Sequence, residues 1–274
     1  MGIRKKLKTK ICEYLLKKGI FTSKKTDPNK ILSFLNMVRP KSLDIENIRI
    51  GGDNEGGYIV PNDFYGVKYC FSPGVGSTTR FEDEITKKNI KCFLADYSVN
   101  PKFKNDLIDF EKKFIGTSSY ENFLNLGDWI ENKIDCENNN DLLLQMDIEG
   151  DEYEIINSLN DKILRKFRII LIEFHQLHYL FDDFIFEKIN KAFKKITKLF
   201  NCTHIHPNND VDFVFKDKDI IIPPVLEFSF LRKDRGKIIN KDLLFPSKLD
   251  QPNVLNKKDI KLPKCWYKPM GQVI

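Results

Sequence analysis

The sequence predicts an α/β fold built on a mostly parallel sheet with helices on both faces. Between residues 68 and 173, five short apolar runs are separated by stretches of helical pattern, the alternation expected of successive βαβ units. The last strand-like runs follow without a helix between them, which predicts an antiparallel addition at one sheet edge. The chain has 274 residues, 41% apolar and 12% aromatic, enough to bury a full core and too much for wholesale disorder.

Ile3, Leu7, Ile11 and Leu15 recur every four residues and put one apolar stripe on a basic helix. Packing of that stripe against the domain is the favoured reading, with a membrane surface as the alternative. A second helix is expected over 28–37, then two short strands around a Gly-rich turn in 47–60. Strands follow at 68–72, 90–95, 113–116, 142–146 and 168–173. The helices between them are expected to end at 88, to cover 104–110 and 120–131, and to begin at 152. A strongly periodic helix spans 184–199, and strands close the fold near 203–206, 211–215 and 227–231. The expected division is a basic helical N-terminal extension over 1–46, one α/β domain over 47–235, and a basic tail over 236–274 packed on or extending from it.

Composition removes several classes of protein. No apolar run approaches the length of a membrane span, and Glu13, Lys17 and Lys18 interrupt the N-terminal apolar stretches, against a secretory signal. The six cysteines are scattered without a CxxC pair, which excludes a zinc ribbon and a disulfide scaffold and suits reduced thiols in the cytoplasm. Residues 1–30 hold ten Lys and Arg against two acids, and residues 232–274 hold eleven against four. The body between them is therefore net acidic, unlike the continuous basic face of a nucleic-acid binder.

In open α/β sheets ligands bind beyond the C-terminal strand ends, so the residues after each strand carry the functional reading. After the first strand comes Pro73-Gly74-Val75-Gly76-Ser77-Thr78, whose glycines let backbone approach a ligand closely. The third glycine of a dinucleotide fingerprint and the P-loop lysine are missing. Asp96 follows the next strand, placed to accept the hydroxyl hydrogens of a ribose. Gly74, Gly76 and Asp96 are the expected cofactor residues, and NAD and S-adenosylmethionine both remain open at this point. The fourth strand runs into "QMDIEGDEYEII". A helix N-terminus accounts for Asp151 and Glu152 but not for Asp147, which ends the strand where the crevice is expected. His175 and Glu173 end the fifth strand on one face, and His204 and His206 share a face further on.

These motifs resemble the FkbM-type S-adenosylmethionine-dependent methyltransferases, carried by "QMDIEGDEYEII" followed by "IILIEFH". "IRIGGDNEGGYIV", "CFSPGVGSTTRFEDEI", "HIHPNND" and "PPVLEFSFLRKD" resemble a bacterial branch associated with surface-glycan synthesis. The similarity covers roughly 47–235 and departs at Glu55, where aspartate is expected. It implies a class I methyltransferase (Rossmann-like) fold with a seven-stranded sheet. The implied activity is O-methylation of a small hydroxylated acceptor containing sugar, a surface glycan or a nucleotide-sugar. On this reading His175 is the base, with Asp147 and Glu173 as its catalytic partners, since an alcohol needs help to lose its proton. Tyr58 is expected beside the cofactor, and His204 and His206 at the acceptor. Asp147, Glu149, Glu173 and His175 form an alternative Mg²⁺ or Mn²⁺ site, with metal-free chemistry favoured. The rival activities are an RNA methyltransferase and a nicotinamide-dependent oxidoreductase. The expected location is cytoplasmic, with peripheral contact to the inner membrane through the basic N-terminus as an option.

Overall fold

A seven-stranded sheet organises the computed structural model, which describes residues 3–19, 22–76, 78–101, 105–138 and 140–270. Two helices, α1 (Ile3–Lys17) and α2 (Pro28–Val38), precede a hairpin of β1 (Asn47–Ile50) and β2 (Tyr58–Pro61). Next come β3 (Tyr69–Pro73), α3 (Arg80–Thr86), β4 (Lys91–Ala95) and β5 (Ile108–Glu111). The short strands β6 (Phe114–Gly116) and β7 (Phe123–Asn125) lead to α4 (Leu126–Lys133) and β8 (Leu142–Met146). Helices α5 (Glu152–Ser158) and α6 (Asp161–Leu164) precede β9 (Phe167–Phe174), α7 (Asp183–Leu199) and β10 (Phe200–Pro207). A second small hairpin, β11 (Phe215–Asp217) and β12 (Ile220–Ile222), then leads to β13 (Leu226–Arg232).

The sheet order is β10-β13-β9-β8-β3-β4-β5. Strands β3, β4, β5, β8 and β9 pair in parallel, and β13 pairs antiparallel with both β9 and β10. The antiparallel member thus lies at the expected end of the sheet, one strand in from the outermost. This is the Rossmann-like arrangement, with its switch point beside β3, where successive crossovers leave in opposite directions.

Strand alternation sorts the core into two layers. Phe71, Phe93, Leu144, Ile170 and Ile172 face one side, packed with α2, α5 and α7; Cys70, Cys92, Leu143, Ile169 and Leu171 face the other, with α3 and the β1–β2 hairpin. Helix α7 buries Phe186, Ile189, Phe193 and Ile196 at helical spacing and starts at Asp182, whose carboxylate accepts the Phe184 and Ile185 N–H groups. The core also takes in both flanking segments. Helix α2 inserts Ile31, Phe34 and Leu35, and Trp266 from the tail packs against Phe34 and Phe228 while its indole N–H bonds the Ile221 carbonyl at 3.0 Å.

Five expectations change. The helix expected over 120–131 begins only at Leu126, because 123–125 form strand β7 and Asn125 caps the helix. The helix placed over 104–110 is instead the edge strand β5, paired with β4 from Cys92↔Ile108 onward; residues 102–104 lie outside the described residues. Its Ile108 and Phe110 alternate with Asp109, a strand period that the neighbouring lysines obscure. The strand expected at 113–116 forms, but it pairs with β7 outside the main sheet. The strand expected over 211–215 is displaced to β11, which shares only Phe215 with it and pairs with β12 outside the main sheet, leaving Val211 in a loop. On α1, Ile11, Tyr14 and Leu16 are exposed and Leu15 half-buried, while the Ile3 and Leu7 side chains lie outside the described residues. The described part of that helix leaves its apolar residues uncovered.

Candidate active site

The C-terminal ends of β3, β4, β8 and β9 open into one cavity of about 310 Å³. Two backbone contacts draw its floor together: the Gly74 N–H donates to Ala95 at 3.0 Å, and the Asp147 N–H to Pro73 at 3.2 Å. Gly74 has φ +81°, and a Cβ there would stand 1.6 Å from the Asp147 carbonyl oxygen, so the approach of the β3 loop to the end of β8 requires glycine. Gly76 faces open space, and its N–H donates to Asp96 Oδ2 at 3.1 Å. Ser98 donates its N–H at 2.7 Å and its hydroxyl at 2.6 Å to Asp96 Oδ1. These donors hold a buried carboxylate on the cavity wall with acceptor capacity to spare, the geometry that fits a ribose diol. Of the sequence-expected loop, Ser77 lies outside the described residues.

Tyr58 also lines the cavity. Its ring packs edge-on against Phe81 and its hydroxyl accepts from Gln145 Nε2 at 3.0 Å; burial above all pushes the phenol well up, so it stays neutral. Behind it, Ser72 Oγ lies between Gln145 Oε1 and Glu82 Oε1. One hydroxyl has one proton to give, so satisfying both contacts puts a proton on Glu82. Burial raises that carboxyl to about 7, against the opposing hydrogen bond from Ser72.

The acidic turn after β8 is organised by Glu152. This first residue of α5 is 0% exposed, and its Oε1 accepts the N–H groups of Gly150 at 2.9 Å and Ile148 at 3.3 Å. The same oxygen lies 3.0 Å from His175 Nδ1, joining the turn to the end of β9. On the other side of the ring, His175 Nε2 stands 3.4 Å from Glu173, 3.5 Å from Glu149 and 3.8 Å from Asp147. Burial pushes the imidazole down, but hydrogen bonds to Glu152 and Glu173 outweigh it and raise it to about 11. His175 is therefore an imidazolium at neutral pH, with both nitrogens donors. Asp147 is held well above the usual carboxylate range by burial and by Glu173, against the pull of His175. Asp147, Glu149 and His175 bring one atom each within 4.8 Å of one another; the two carboxylates would suit Mg²⁺ or Mn²⁺, with His175 a ligand only if it gave up a proton. Asn208 Nδ2 donates to Glu173 at 2.9 Å.

His204 and His206 lie outside the cavity lining. Both are buried on β10 and hold Asp250 of the C-terminal segment, at 2.7 and 3.3 Å. Burial alone would raise Asp250, but hydrogen bonds from the two histidines bring it well below the usual range. Beyond Asp250 the chain returns to the site, where Asn253 and Val254 form part of the cavity wall. Asn253 Nδ2 donates to Glu227 at 2.5 Å, and Glu227 is raised to about 7, chiefly by burial.

Glu152, Gln145, Asn208 and Asn253 complete the site without having been singled out in the sequence. Glu152 sits within the acidic run but had an adequate helix-terminus explanation. Asn253 stands more than 40 residues past the last histidine, and no local signal ties it to the cavity.

Among the described residues no helix is long and apolar enough to cross a membrane. Comparison with curated proteins gives no match. The family described as the Methyltransferase FkbM domain matches residues 26–202, a span that holds the Gly loop, Asp96, the acidic turn and His175. The wall made by Asn208, Asp210, Val211, Val225, Asn253 and Val254 lies beyond that span. The match covers more than half of the chain and supplies the floor of the β3–β4–β8–β9 cavity, and the chain belongs to the FkbM methyltransferase family.

Proposed function

We propose that the protein transfers a methyl group from S-adenosylmethionine to a hydroxyl of a small, sugar-containing acceptor. The observation that carries this reading is topological. The strands on either side of β3 bring Asp96 and Asp147 to one cavity, the first fitted to a ribose and the second to a proton-bearing acceptor. S-adenosylmethionine, when bound, supplies a methyl on a sulfonium, a reactive group that an oxygen attacks in line. Asp96 and Gly76 would hold its ribose end, and the turn after β8 and the end of β9 would hold the acceptor. Much of the acceleration then comes from positioning.

A hydroxyl must also lose its proton. His175 is the base expected from sequence, but an imidazole raised to about 11 already carries its proton at neutral pH. We therefore assign proton acceptance to Asp147, whose partly exposed carboxylate lines the cavity beside His175 and whose raised pKa suits a base. His175 keeps Asp147, Glu149 and Glu173 from repelling one another, and Glu173 orients the imidazolium. The same oxygens would hold Mg²⁺ or Mn²⁺, which would lower the hydroxyl pKa instead. The metal-free route is preferred because the imidazolium already offsets part of their charge. Carboxylates and amides on the wall accept hydrogen bonds from hydroxyls, which supports a carbohydrate acceptor. We place the reaction in the cytoplasm. The uncovered Ile11, Tyr14 and Leu16 on basic α1 support peripheral contact with the inner membrane.

The test is twofold: calorimetric binding of S-adenosylmethionine against NAD, then transfer of labelled methyl to carbohydrate acceptors with the product ether located by NMR. Binding of S-adenosylmethionine and an O-methyl product support the reading. Absence of S-adenosylmethionine binding, or label in RNA rather than a small molecule, overturns it.

A further inference from the structure

The hydrogen bonds behind the cavity run in one direction and, resting on the S-adenosylmethionine reading, they give Tyr58 and Glu82 a role. Tyr58 lines the cavity at 6% exposure. Gln145 Nε2 has only protons to give, so the Tyr58 oxygen accepts from it at 3.0 Å and the phenol proton points elsewhere, toward the cavity. Gln145 Oε1 only accepts, so the Ser72 hydroxyl donates to it and accepts in turn from a protonated Glu82. All four side chains are buried. The series from Glu82 through Ser72 and Gln145 to Tyr58 therefore ends in an O–H on the cavity wall.

The opposite polarity satisfies the same contacts only with Glu82 ionised. Ser72 then donates to Glu82, the Gln145 amide turns over to donate to Ser72, and the Tyr58 proton is spent on Gln145 Oε1. Tyr58 would offer the cavity lone pairs and no proton. One proton on Glu82 thus sets whether the hydroxyl on the wall gives or accepts. The titratable groups around Glu82 are Cys70 on β3, Cys92 on β4 and Asp83 beside it on α3, and none of them is a cation that would favour the ionised form. Burial raises Glu82 to about 7, which puts the crossover near neutrality.

A fixed donor has a use here. No Lys or Arg lines the cavity among the described residues, so a ligand carboxylate has to be met by other donors. Ser98, Asn208 and Asn253 direct theirs at Asp96, Glu173 and Glu227, and His175 stands among four carboxylates. Tyr58 sits where the amino-acid arm of the cofactor would pass. Its ring packs on Phe81, which follows the β3 loop, and its hydroxyl bonds Gln145 on β8. With the ribose at Asp96 beyond β4 and the methyl delivered at the end of β8, the arm that leaves the same sulfur falls at the boundary of β3 and β8.

We propose that the Tyr58 O–H holds the carboxylate of the cofactor's amino-acid arm, and that Glu82, acting through Ser72 and Gln145, is the positioning residue that keeps this donor aimed into the cavity. Affinity for the cofactor then follows the proton on Glu82. It is strong below the crossover and weaker above it.

The experiment compares two ligands that differ in that arm. The full-length protein is titrated calorimetrically at about pH 6 and about pH 8 with S-adenosylhomocysteine, which carries the carboxylate, and with 5′-methylthioadenosine, which lacks the amino-acid arm. The wild-type preference for S-adenosylhomocysteine should be about five- to tenfold greater at the lower pH, as a group titrating near 7 loses its proton between them. Tyr58→Phe keeps the ring on Phe81. It should cut the preference at the lower pH by about tenfold or more, the loss of a hydrogen bond to a charged group, and abolish its pH dependence. Glu82→Gln donates to Ser72 at both pH values and should abolish the pH dependence with Tyr58 still in place. Equal weakening of both ligands by Tyr58→Phe, or no weakening, overturns the inference and leaves the cofactor reading intact. A preference that is flat in wild type, or that keeps its pH dependence in Glu82→Gln, overturns it as well. Wild-type protein that binds neither ligand removes the S-adenosylmethionine reading, and this inference falls with it.

Discussion

Glu152 Oε1 and His175 Nδ1 lie 3.0 Å apart, and through that contact one buried carboxylate fixes both the turn after β8 and the end of β9. Glu152 is fully buried and the His175 side chain is mostly so, so removing the carboxylate leaves the imidazolium short of its partner. Glu152→Ala is expected to destabilise the fold by about 3–5 kcal/mol, the range for breaking a buried ion pair from one side. Urea unfolding measures it. A raised histidine pKa contributes stability fully below the unfolded value of 6.5 and loses it as pH rises through about 11. The difference between wild type and variant should therefore be largest in the acid-to-neutral range and shrink at high pH. A variant as stable as wild type at neutral pH would show the pair to be dispensable.

Asp147 and His175 separate by pH. Asp147→Asn should lower turnover by about a hundredfold or more while leaving S-adenosylmethionine affinity nearly unchanged, as expected for a proton acceptor. It should also remove the acid limb of the pH–rate profile. With Asp147 as base, His175→Gln lowers turnover but keeps an acid limb, shifted upward because the neighbouring cation is gone. Loss of that limb in the His175 variant alone would return the base role to His175.

Asp96→Ala should weaken S-adenosylmethionine binding by about ten- to a hundredfold, the loss of charge-assisted ribose hydrogen bonds of roughly 1.5–3 kcal/mol. Asp96 also holds Gly76 and Ser98, so circular dichroism must accompany the calorimetry. A folded variant with unchanged affinity would detach Asp96 from the cofactor.

Glu82 makes a stability prediction away from the acceptor. Its native pKa, about 7, stands above the ordinary glutamate value of 4.5, so the folded state binds the proton more tightly than the unfolded one. Stability should fall as pH rises from about 4.5 to about 7 on this account. Glu82→Gln keeps a donor for Ser72 without the charge and should flatten that slope, gaining up to about 3 kcal/mol at and above neutrality. Denaturant titrations across this range check it, and an unchanged slope would exclude Glu82 as its source.

The parallel strands were legible because β8 and β9 are buried on both faces and read as continuous apolar runs, LLLQM and FRIILIEF. Edge strand β5 was not, because an edge buries less and its alternation covers only four residues. The same distinction governs the site. Gly74, Gly76, Asp96, Asp147, Glu173 and His175 each lie at or just past the C-terminal end of a strand, so the topology alone brings them to one crevice. Glu152 looked like a helix-terminus acid, and its burial depends on the Gly150 turn. His204 and His206 share a strand face as expected, yet their partner is Asp250, whose return to β10 depends on how the tail packs around Trp266.

Asp250 is the last test, because it ties the tail to the sheet without touching the proposed reaction. Its carboxylate accepts from His204 and His206 through Oδ1 and from the Ser247 N–H through Oδ2, and three residues further on Asn253 enters the cavity wall. Two titrations bound the strength of this attachment. The depressed aspartate contributes above its unfolded value of 3.8, and its contribution is lost as pH falls. The raised His206 contributes below 6.5, and its contribution is lost as pH climbs through its native value. The attachment is strongest between those two limits. Asp250→Ala should destabilise the protein by about 3–5 kcal/mol there, and by less on either side. S-adenosylmethionine affinity should stay within about twofold of wild type, since Gly76 and Asp96 lie on β3 and β4 loops that the tail does not hold. The acceptor KM should rise with Asn253 displaced, by about three- to tenfold for one lost hydrogen bond. Calorimetry, pH-resolved unfolding and acceptor kinetics on the one variant measure all three. Equal weakening of cofactor and acceptor would show that Asp250 supports the whole cavity rather than its acceptor wall.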